Sequence, residues 1–206
     1  MKTACGLMAL IAGSAMAQPI LDGSLTDAAW GSPLVVQNTQ TGFGDATGGG
    51  QDSAGGSEVN AGYGFIDGGT MYLGVTGNLE ANFNKMWFFF DAVAGGENTL
   101  AGDNNDAGFG EINNLDITFD SGFEPDHGMR LEVGGTFLGI RGFDLIDNTG
   151  GDIWTADGTA DLPLATGVGG FGVTSAWDNS NVLGVDGASA AGALTATTGV
   201  EFAIDL

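Results

Sequence analysis

The chain has 206 residues, 39 of them glycine, and carries 26 acidic residues against four basic ones, a formal net charge of −22. So acidic a chain is excluded as a nucleic-acid binder, because it has nothing to neutralise a phosphate backbone. Its composition does not fit a helical bundle, and glycine does not recur at every third residue as in collagen. Hydrophobic residues make up 43%, so we predict a secreted, turn-rich, all-β protein with a buried core.

The first 17 residues have the composition of an export signal. Lys2 supplies the positive charge, residues 4–13 form an apolar run, and residues 15–17 match a small-x-small cleavage site. The run is too short to remain as a membrane anchor. We therefore predict a signal peptide over residues 1–17 and a single mature domain over residues 18–206. The only cysteine, Cys5, lies in the leader, so the mature domain has neither a disulfide nor a thiolate metal site.

The first half of the mature chain is predicted to contain a short helical turn and four strands. Thr26 is positioned as the N-cap of the turn, with Asp27 facing the helix dipole. Two apolar runs around Asp67-Gly68-Gly69 predict a hairpin. The strand after it is apolar on both faces, as in a central strand covered on both sides. The predicted strands are residues 34–41, 59–66, 70–76 and 85–91, with a Gly/Ser/Asp loop at 42–57.

The second half continues as short strands between turns. An acidic loop is expected at residues 98–110 and a short helix at residues 188–196. The predicted strands are residues 112–119, 130–133, 136–140, 143–146, 167–175, 182–185 and 200–206. About ten short strands separated by turn signals indicate an antiparallel β-sandwich. The last strand stops within its own apolar pattern, so we expect a domain truncated at its C-terminus.

Several of these segments resemble known β-sandwich modules. Residues 21–30 (LDGSLTDAAW) resemble the DG-x-L-D-x-A-W start of carbohydrate-binding-module family 9-like, or DOMON-like, domains. Residues 70–76, 85–91 and 201–204 are similar to the LYVGV, VEVFID and EFAIPL strands of those domains. The resemblance implies a sandwich of the jelly-roll or family 9-like kind.

A closer resemblance is to exported bacterial proteins with PEP-CTERM sorting tails, typical of planctomycetes. The shared motifs are QT-x-x-TGFGD, TGNLE-x-NFNK, D-x-VAGG-x-N, LTFD-x-GF and GFELAIPL. They match residues 37–45, 76–85, 91–98, 117–123 and 199–206. The resemblance implies export and a sorting tail with a Pro-Glu-Pro motif, an apolar helix and an Arg cluster. The 206 residues contain no such tail.

Two Asn- and Gly-rich acidic loops are predicted to bind Ca²⁺, which prefers carboxylate, amide and carbonyl oxygens. Their candidate ligands are Asp103, Asn105, Asp106 and Glu111 in the first loop, and Asp144, Asp147 and Asp152 in the second. The first loop is not an EF-hand, since Ala107 and Asn114 stand at ligand positions. The alternative is that both are solvated loops. Divalent cations would also relieve the self-repulsion of so acidic a domain.

Exposed aromatic side chains are the second kind of candidate site, because sugar rings stack on them while Asp and Asn accept hydroxyl hydrogen bonds. Trp154 and Trp177 lie in polar segments and are predicted to bind carbohydrate. Trp30 belongs to the opening motif and is expected in the core. The alternative for Trp154 and Trp177 is a core position as well.

A hydrolytic site is the third candidate. Acidic residues at positions 116, 120, 124 and 126 precede the only histidine, His127. A glycosidase needs two carboxylates at a defined separation, which spacing in a loop does not supply, and no G-x-S-x-G elbow supports a serine triad. We therefore expect a protein that is not an enzyme. The scarce cations Lys85, Arg130 and Arg141 are expected in structural ion pairs.

These features together predict a non-catalytic extracellular or cell-surface matrix protein that associates with exopolysaccharide and is stabilised by Ca²⁺. Two alternatives stay open: a self-assembling structural subunit of an extracellular fibre or coat, and a glycoside hydrolase. No nucleic-acid partner and no transmembrane segment is expected in this sequence.

Overall fold

The computed structural model describes residues 17–37, 42–48, 54–104, 110–134, 137–147, 149–155, 164–168, 171–187 and 189–206. Residues 1–16 of the predicted signal peptide lie outside this range. Within the described residues, no helix combines the length and the apolar character needed to cross a membrane.

The described residues form ten strands in two sheets. The larger sheet has the order β1-β2-β3-β10-β9-β8 and the smaller sheet has the order β4-β5-β6-β7. The strands are β1 (Val35–Val36), β2 (Glu58–Asp67), β3 (Thr70–Asn78), β4 (Asn82–Phe90), β5 (His127–Gly134), β6 (Phe137–Asp144), β7 (Thr149–Thr155), β8 (Leu164–Val168), β9 (Phe171–Trp177) and β10 (Gly199–Asp205). Every pair of neighbouring strands is antiparallel. The predicted all-β, antiparallel sandwich is therefore confirmed.

The main core lies between the two sheets. Alternate side chains of each strand point to opposite faces of its sheet, so each strand contributes one set of apolar residues to the core. The buried set includes Val200, Phe202 and Ile204 of β10 and Met129, Leu131 and Val133 of β5. The Phe88 ring of β4 meets the Phe202 ring edge-on, with centroids 5.1 Å apart. This contact joins the two sheets near the β4 edge.

The N-terminal segment covers the outer face of the larger sheet. Trp30 ends a 3₁₀ turn at Ala28–Trp30 and is buried there. Its indole Nε1 donates a hydrogen bond of 3.0 Å to Glu201 of β10, whose other carboxylate oxygen accepts bonds from the backbone N–H groups of Asp22 and Gly23. Burial raises the pKa of Glu201 to about 7, against the opposing effect of these hydrogen bonds. The opening motif is thus anchored to the last strand by one carboxyl group.

The long connection between β4 and β5 covers the outer face of the smaller sheet. Ile112, Phe143 and Leu145 form a buried cluster there, with Trp87 and Phe89 of β4 packed against it. Trp87 and Phe143 meet edge-on at 5.9 Å between ring centroids. The strand predicted at residues 85–91 is therefore covered on both faces. It is the edge strand of its sheet, however, and not a central one.

Several predicted elements are confirmed and others are wrong. The hairpin around Asp67-Gly68-Gly69 forms as β2 and β3, and the final strand forms as β10. Residues 112–119 are not a strand: they begin with a 3₁₀ turn at Ile112–Asn114 and then make only an isolated bridge between Thr118 and Thr99. Residues 182–185 are a loop, because Asn181 binds the backbone around Gly77 and Thr198 and takes the chain out of the sheet.

The boundaries of other elements shift. The strand predicted at 34–41 pairs only at Val35–Val36, and residues 38–41 lie outside the described range. Residues 143 and 144 end β6 instead of starting a new strand, while β8 and β9 divide the strand predicted at 167–175. The predicted helix shortens to α1 (Ala190–Ala193), and Ser189 caps it. Asp27, not Thr26, holds the N-cap position of the first turn.

Candidate functional site

A groove opens along one flank of the sandwich, where the larger sheet is wider than the smaller one. It has a volume of about 520 Å³ and lies beside Val35 of β1, Gly62 of β2, Leu73 and Val75 of β3, and Phe88 of β4. We call it the flank groove. Phe88 also contacts Phe202 of β10, so β4 lies over the centre of the larger sheet. The strands β1 and β2 extend beyond it and leave their inward face open.

The residues of β2 explain why this face stays open. Residues 62 and 64 are glycines, and strand alternation places both on the same face of the sheet as Val75 and Leu73, their partners on β3. A Cβ on Gly62 would lie 3.0 Å from Val35 Cγ1, which is a tight contact. The strand therefore brings no side chain into the flank groove at this position, and Val35 packs directly over its backbone.

The strand β1 is short and is held by few bonds. Leu34 N–H donates to Gly62 O at 2.8 Å, and Gln37 N–H donates to Asn60 O at 2.7 Å. The Gln37 side chain then donates to Glu58 at 3.0 Å. Val35 remains 64% exposed beside the flank groove. The wall made by β1 is thus fixed in position but apolar and open to solvent.

Two polar residues, Gln37 and Asn60, belong to the described lining of the flank groove, and Asn60 lies at a β-bulge. The register of β2 against β3 shifts between Val59 and Ala61, which leaves Asn60 as the extra residue. Its side chain is fully buried, and its Nδ2 donates to Gly184 O at 3.1 Å and Val185 O at 3.4 Å. No donor in the described part of the chain reaches its Oδ1. An acceptor that is buried and unsatisfied costs free energy until a donor arrives.

The described lining of the flank groove contains no charged side chain. In a chain with 26 acidic residues, an uncharged surface of this size is a distinct feature. Apolar walls with a few fixed polar groups are typical of small-molecule and sugar sites. Such a lining can accept the apolar C–H face of a sugar ring.

Comparison with known proteins gives no relative. No protein-family model matches the chain, and searches of curated proteins and of solved structures find no match either.

The tryptophans predicted to bind carbohydrate occupy strands. Trp177 is the last residue of β9 and is 3% exposed in the core between the sheets. The loop position predicted for it is wrong, and its ring has no face available to a sugar. Trp154 belongs to β7 rather than to a loop, and its side chain lies outside the described part of the structure.

The first predicted Ca²⁺ loop does not form a set of converging ligands in its described part. Glu111 contacts the Arg130 guanidinium and lies 3.6 Å from Lys85 Nζ, so its charge is already balanced. Its assignment as a Ca²⁺ ligand stays a prediction. Asp103 is exposed in a turn, and Asn105 and Asp106 lie outside the described residues.

The second predicted Ca²⁺ loop is held by hydrogen bonds from its own backbone N–H groups to the Asp144 carboxylate. Asp144 Oδ1 accepts the N–H groups of Ile146 and Asp147 at 2.9 and 2.8 Å, and the Asp147 side chain is exposed. Asp152 lies on β7 in register with Arg141, and its side chain is outside the described part. Across the described residues, no three His, Cys, Asp or Glu side chains are placed to hold a metal ion. Calcium binding stays a prediction.

The three basic residues of the described chain share one face of the smaller sheet. Arg130 is buried over the Trp87 ring, 5.4 Å from its centroid, and lies 2.8 Å from Glu132. Lys85 lies 3.9 Å from the same carboxylate. Arg141 is the register partner of Arg130 on β6 and therefore faces the same way. The predicted ion pairs of Lys85 and Arg130 are confirmed, and through Glu111 they fasten the long β4–β5 connection to the sheet.

The acidic residues around His127 differ in their burial. Asp116, Asp120 and Glu124 are exposed, whereas Asp126 is fully buried. The Asp126 carboxylate accepts the N–H groups of Ala92 and Val93, which fixes the chain after β4. His127 lies between two carboxylates, with Nε2 3.6 Å from Asp126 and Nδ1 3.6 Å from Asp144. This cluster joins two chain connections.

Proposed function

We propose that the protein is a non-catalytic, exported matrix or cell-surface protein that associates with exopolysaccharide through the flank groove. One observation carries the proposal: a groove of about 520 Å³, largely apolar and without a charged side chain in its described lining, opens beside the exposed residue Val35. The resemblance of the opening motif to carbohydrate-binding modules and of other segments to PEP-CTERM proteins supports the same function and an extracellular location. Calcium as a stabilising ion belongs to this proposal.

The proposal is tested by retention on polysaccharide. Val35→Glu places a carboxylate beside the flank groove at a position that is 64% exposed, so the fold is expected to tolerate it. Ile66→Glu is the matched control, because Ile66 is 66% exposed on the same sheet but does not line the flank groove. We expect wild type and I66E to be retained on exopolysaccharide-coated beads and V35E to be lost. Equal retention of V35E and wild type, or no retention of any form, would contradict the proposal.

Self-assembly is the second candidate function, and exposed apolar residues at the β1–β2 flank favour it. Leu34 is 74% exposed and lies next to Val35, and such patches often mark interaction surfaces. Sedimentation velocity across a range of protein concentrations separates the two functions. Concentration-dependent association abolished by V35E supports assembly, while a monomer at every concentration excludes it.

A further inference from the structure

We infer that the flank groove binds an extended, neutral, β-1,4-linked glycan, which lies along β4 and forms hydrogen bonds with the backbone on the free edge of that strand. The inference depends on the proposed function, since it names the ligand class of the same site. Three features of the described structure carry it: β4 is an edge strand, its free edge faces the flank groove, and this edge is open to solvent.

The strand β4 is paired on one side only. In the described part of the chain it is the first strand of the smaller sheet and pairs with β5 alone, in an unbroken register from Asn84 to Phe90. Apart from this pairing, no backbone hydrogen bond joins residues 84–89 to the described part of the chain. In an antiparallel pair, every second residue points both its N–H and its C=O away from the partner strand. The free edge of β4 therefore carries a regular row of hydrogen-bond donors and acceptors.

This free edge faces the flank groove. Phe88 packs on Phe202 of β10, which places β4 over the centre of the larger sheet. From there the smaller sheet continues through β5 to β6 and β7, which both contact β8 at the far edge of the larger sheet. The unpaired side of β4 therefore lies above β2 and β1, whose residues form the floor and the opposite wall of the flank groove.

A ligand can reach the free edge. None of the residues of β4 is buried, whereas the neighbouring strand β5 is buried from Gly128 to Gly134. The groove beside the edge has a volume of about 520 Å³, and its opposite wall includes the exposed side chain of Val35. Gly62 adds no side chain to the floor between them. The unpaired backbone groups thus lie at the surface, next to an apolar floor.

These two surfaces match the two surfaces of an extended glycan. A β-1,4-linked chain is a flat ribbon, with apolar C–H faces and with hydroxyl groups along its sides. A ribbon parallel to β4 can place one face over Val35 and Leu73 while its hydroxyls exchange hydrogen bonds with the free N–H and C=O groups. An α-1,4-linked chain coils and meets only part of a straight edge. Because the described lining has no charged side chain, it suits hydroxyl groups better than carboxylates.

The first test compares hexasaccharides of the same composition that differ in linkage. Cellohexaose is β-1,4-linked and extended, maltohexaose is α-1,4-linked and coiled, and xylohexaose and mannohexaose complete the β-1,4-linked set. Isothermal titration calorimetry measures their binding to the whole protein. We expect at least one β-1,4-linked hexasaccharide to bind about tenfold or more tightly than maltohexaose, as expected for one or two additional hydrogen bonds.

Hydrogen exchange of backbone amides locates the contact. In the free protein, every second amide of residues 84–89 should exchange faster than the amides of β5, because it faces solvent. At a sugar concentration of about ten times Kd, these fast amides should slow about tenfold, because only the free protein exchanges. The exposed amides of residues 120–122 are the control and should not change.

The outcomes separate the inference from the proposed function. If maltohexaose binds as tightly as the best β-1,4-linked sugar, or if V35E-sensitive binding leaves the β4 amides unprotected, the inference is overturned and the function is kept. A peptide of alternating threonine and valine is the competing probe, since a free strand edge can also accept a peptide strand. Protection of the β4 amides by this peptide and by no sugar would overturn both the inference and the function, as would the absence of binding by every sugar.

Discussion

Buried asparagine side chains fix several loops of this acidic chain by hydrogen bonds to the backbone. Asn181 is the clearest case: its Nδ2 donates to the carbonyls of Gly77 and Thr198 and to Asn78 Oδ1, and its Oδ1 accepts the N–H groups of Thr197 and Thr198. An amide serves as donor and acceptor without adding charge. Among the described residues, Asn60 makes only the donor half of such a set.

Glu201 predicts a pH dependence of stability. Its pKa is about 7 in the folded protein because of burial, against 4.5 as the reference value. Between these values the unfolded chain releases the proton while the folded protein keeps it, so the free energy of unfolding falls as pH rises, by about 3 kcal/mol in total. Below pH 4.5 both states are protonated, and this contribution is fully present.

Glu201→Gln isolates this effect, because glutamine does not titrate. The variant is expected to be less stable, since its NH₂ group would face the N–H donors of Asp22, Gly23 or Trp30. The difference in unfolding free energy between wild type and E201Q should shrink from pH 4.5 to pH 7.5, measured by urea denaturation at each pH. A difference that stays constant or grows would show that the carboxyl group is ionised in the folded state.

The strands pack through complementary large and small residues. Gly128 of β5 is the register partner of Phe143 of β6, and the Phe143 ring lies over the glycine where a Cβ would stand. Phe143 is 1% exposed and therefore has no space to turn away. This pair joins the smaller sheet to the connection that covers its outer face.

Gly128→Ala should therefore destabilise the protein, by roughly 1–3 kcal/mol as is typical of overpacking in a core. Gly102→Ala is the matched control, since a Cβ at Gly102 meets no other atom within 4 Å. Urea denaturation followed by tryptophan fluorescence gives both values. If G128A is as stable as G102A, the packing described for Phe143 is incorrect.

The alternation of apolar and polar residues, together with the turn residues, predicts most of the strands. It does not predict the order of the strands within the sheets. The hairpin at Asp67-Gly68-Gly69 was predictable because its turn chemistry is local. The edge position of β4 could not be predicted from the sequence. A strand that is apolar on both faces has the same sequence pattern whether its outer face is covered by another layer or by a chain connection. The strand β7 was missed because its Asp- and Gly-rich sequence has the composition of a loop.

Little of the candidate site could be predicted from the sequence. Trp177 has polar neighbours in the sequence, but these follow the end of β9, and the ring itself lies in the core. Asn60 carries no motif and acquires its orientation only from the loop at residues 184–185. One signal was present: the alternation of Gly62 and Gly64 within a predicted strand leaves one of its faces without side chains.

The whole molecule combines a high negative charge with almost no basic residues on its surface. Lys85 and Arg130 fasten one connection to the smaller sheet, and four basic residues are too few to neutralise 26 acidic ones. Self-repulsion among them opposes the compact state and weakens as salt screens it.

Salt should therefore stabilise the protein. The melting temperature is expected to rise from about 0.01 M to about 0.3 M NaCl, as the screening length falls severalfold. Calcium at matched ionic strength should raise it further, and EDTA should reverse the added increase, if the acidic loops bind the ion. Scanning calorimetry makes both comparisons. A melting temperature that is independent of NaCl would contradict the repulsion argument, and equal values in CaCl₂ and NaCl would remove the predicted calcium sites.

We propose the flank groove as the ligand site of this molecule. An NMR titration of ¹⁵N-labelled protein with neutral hexasaccharides of glucose, xylose and mannose tests it most directly. For a sugar that binds, we expect shifts of the backbone amides of Val35, Asn60 and Gly62, with Trp177 and Arg130 unaffected. Shifts confined to the outer face of the smaller sheet or to the acidic loops, with Asn60 unchanged, would contradict it, as would the absence of shifts with every sugar.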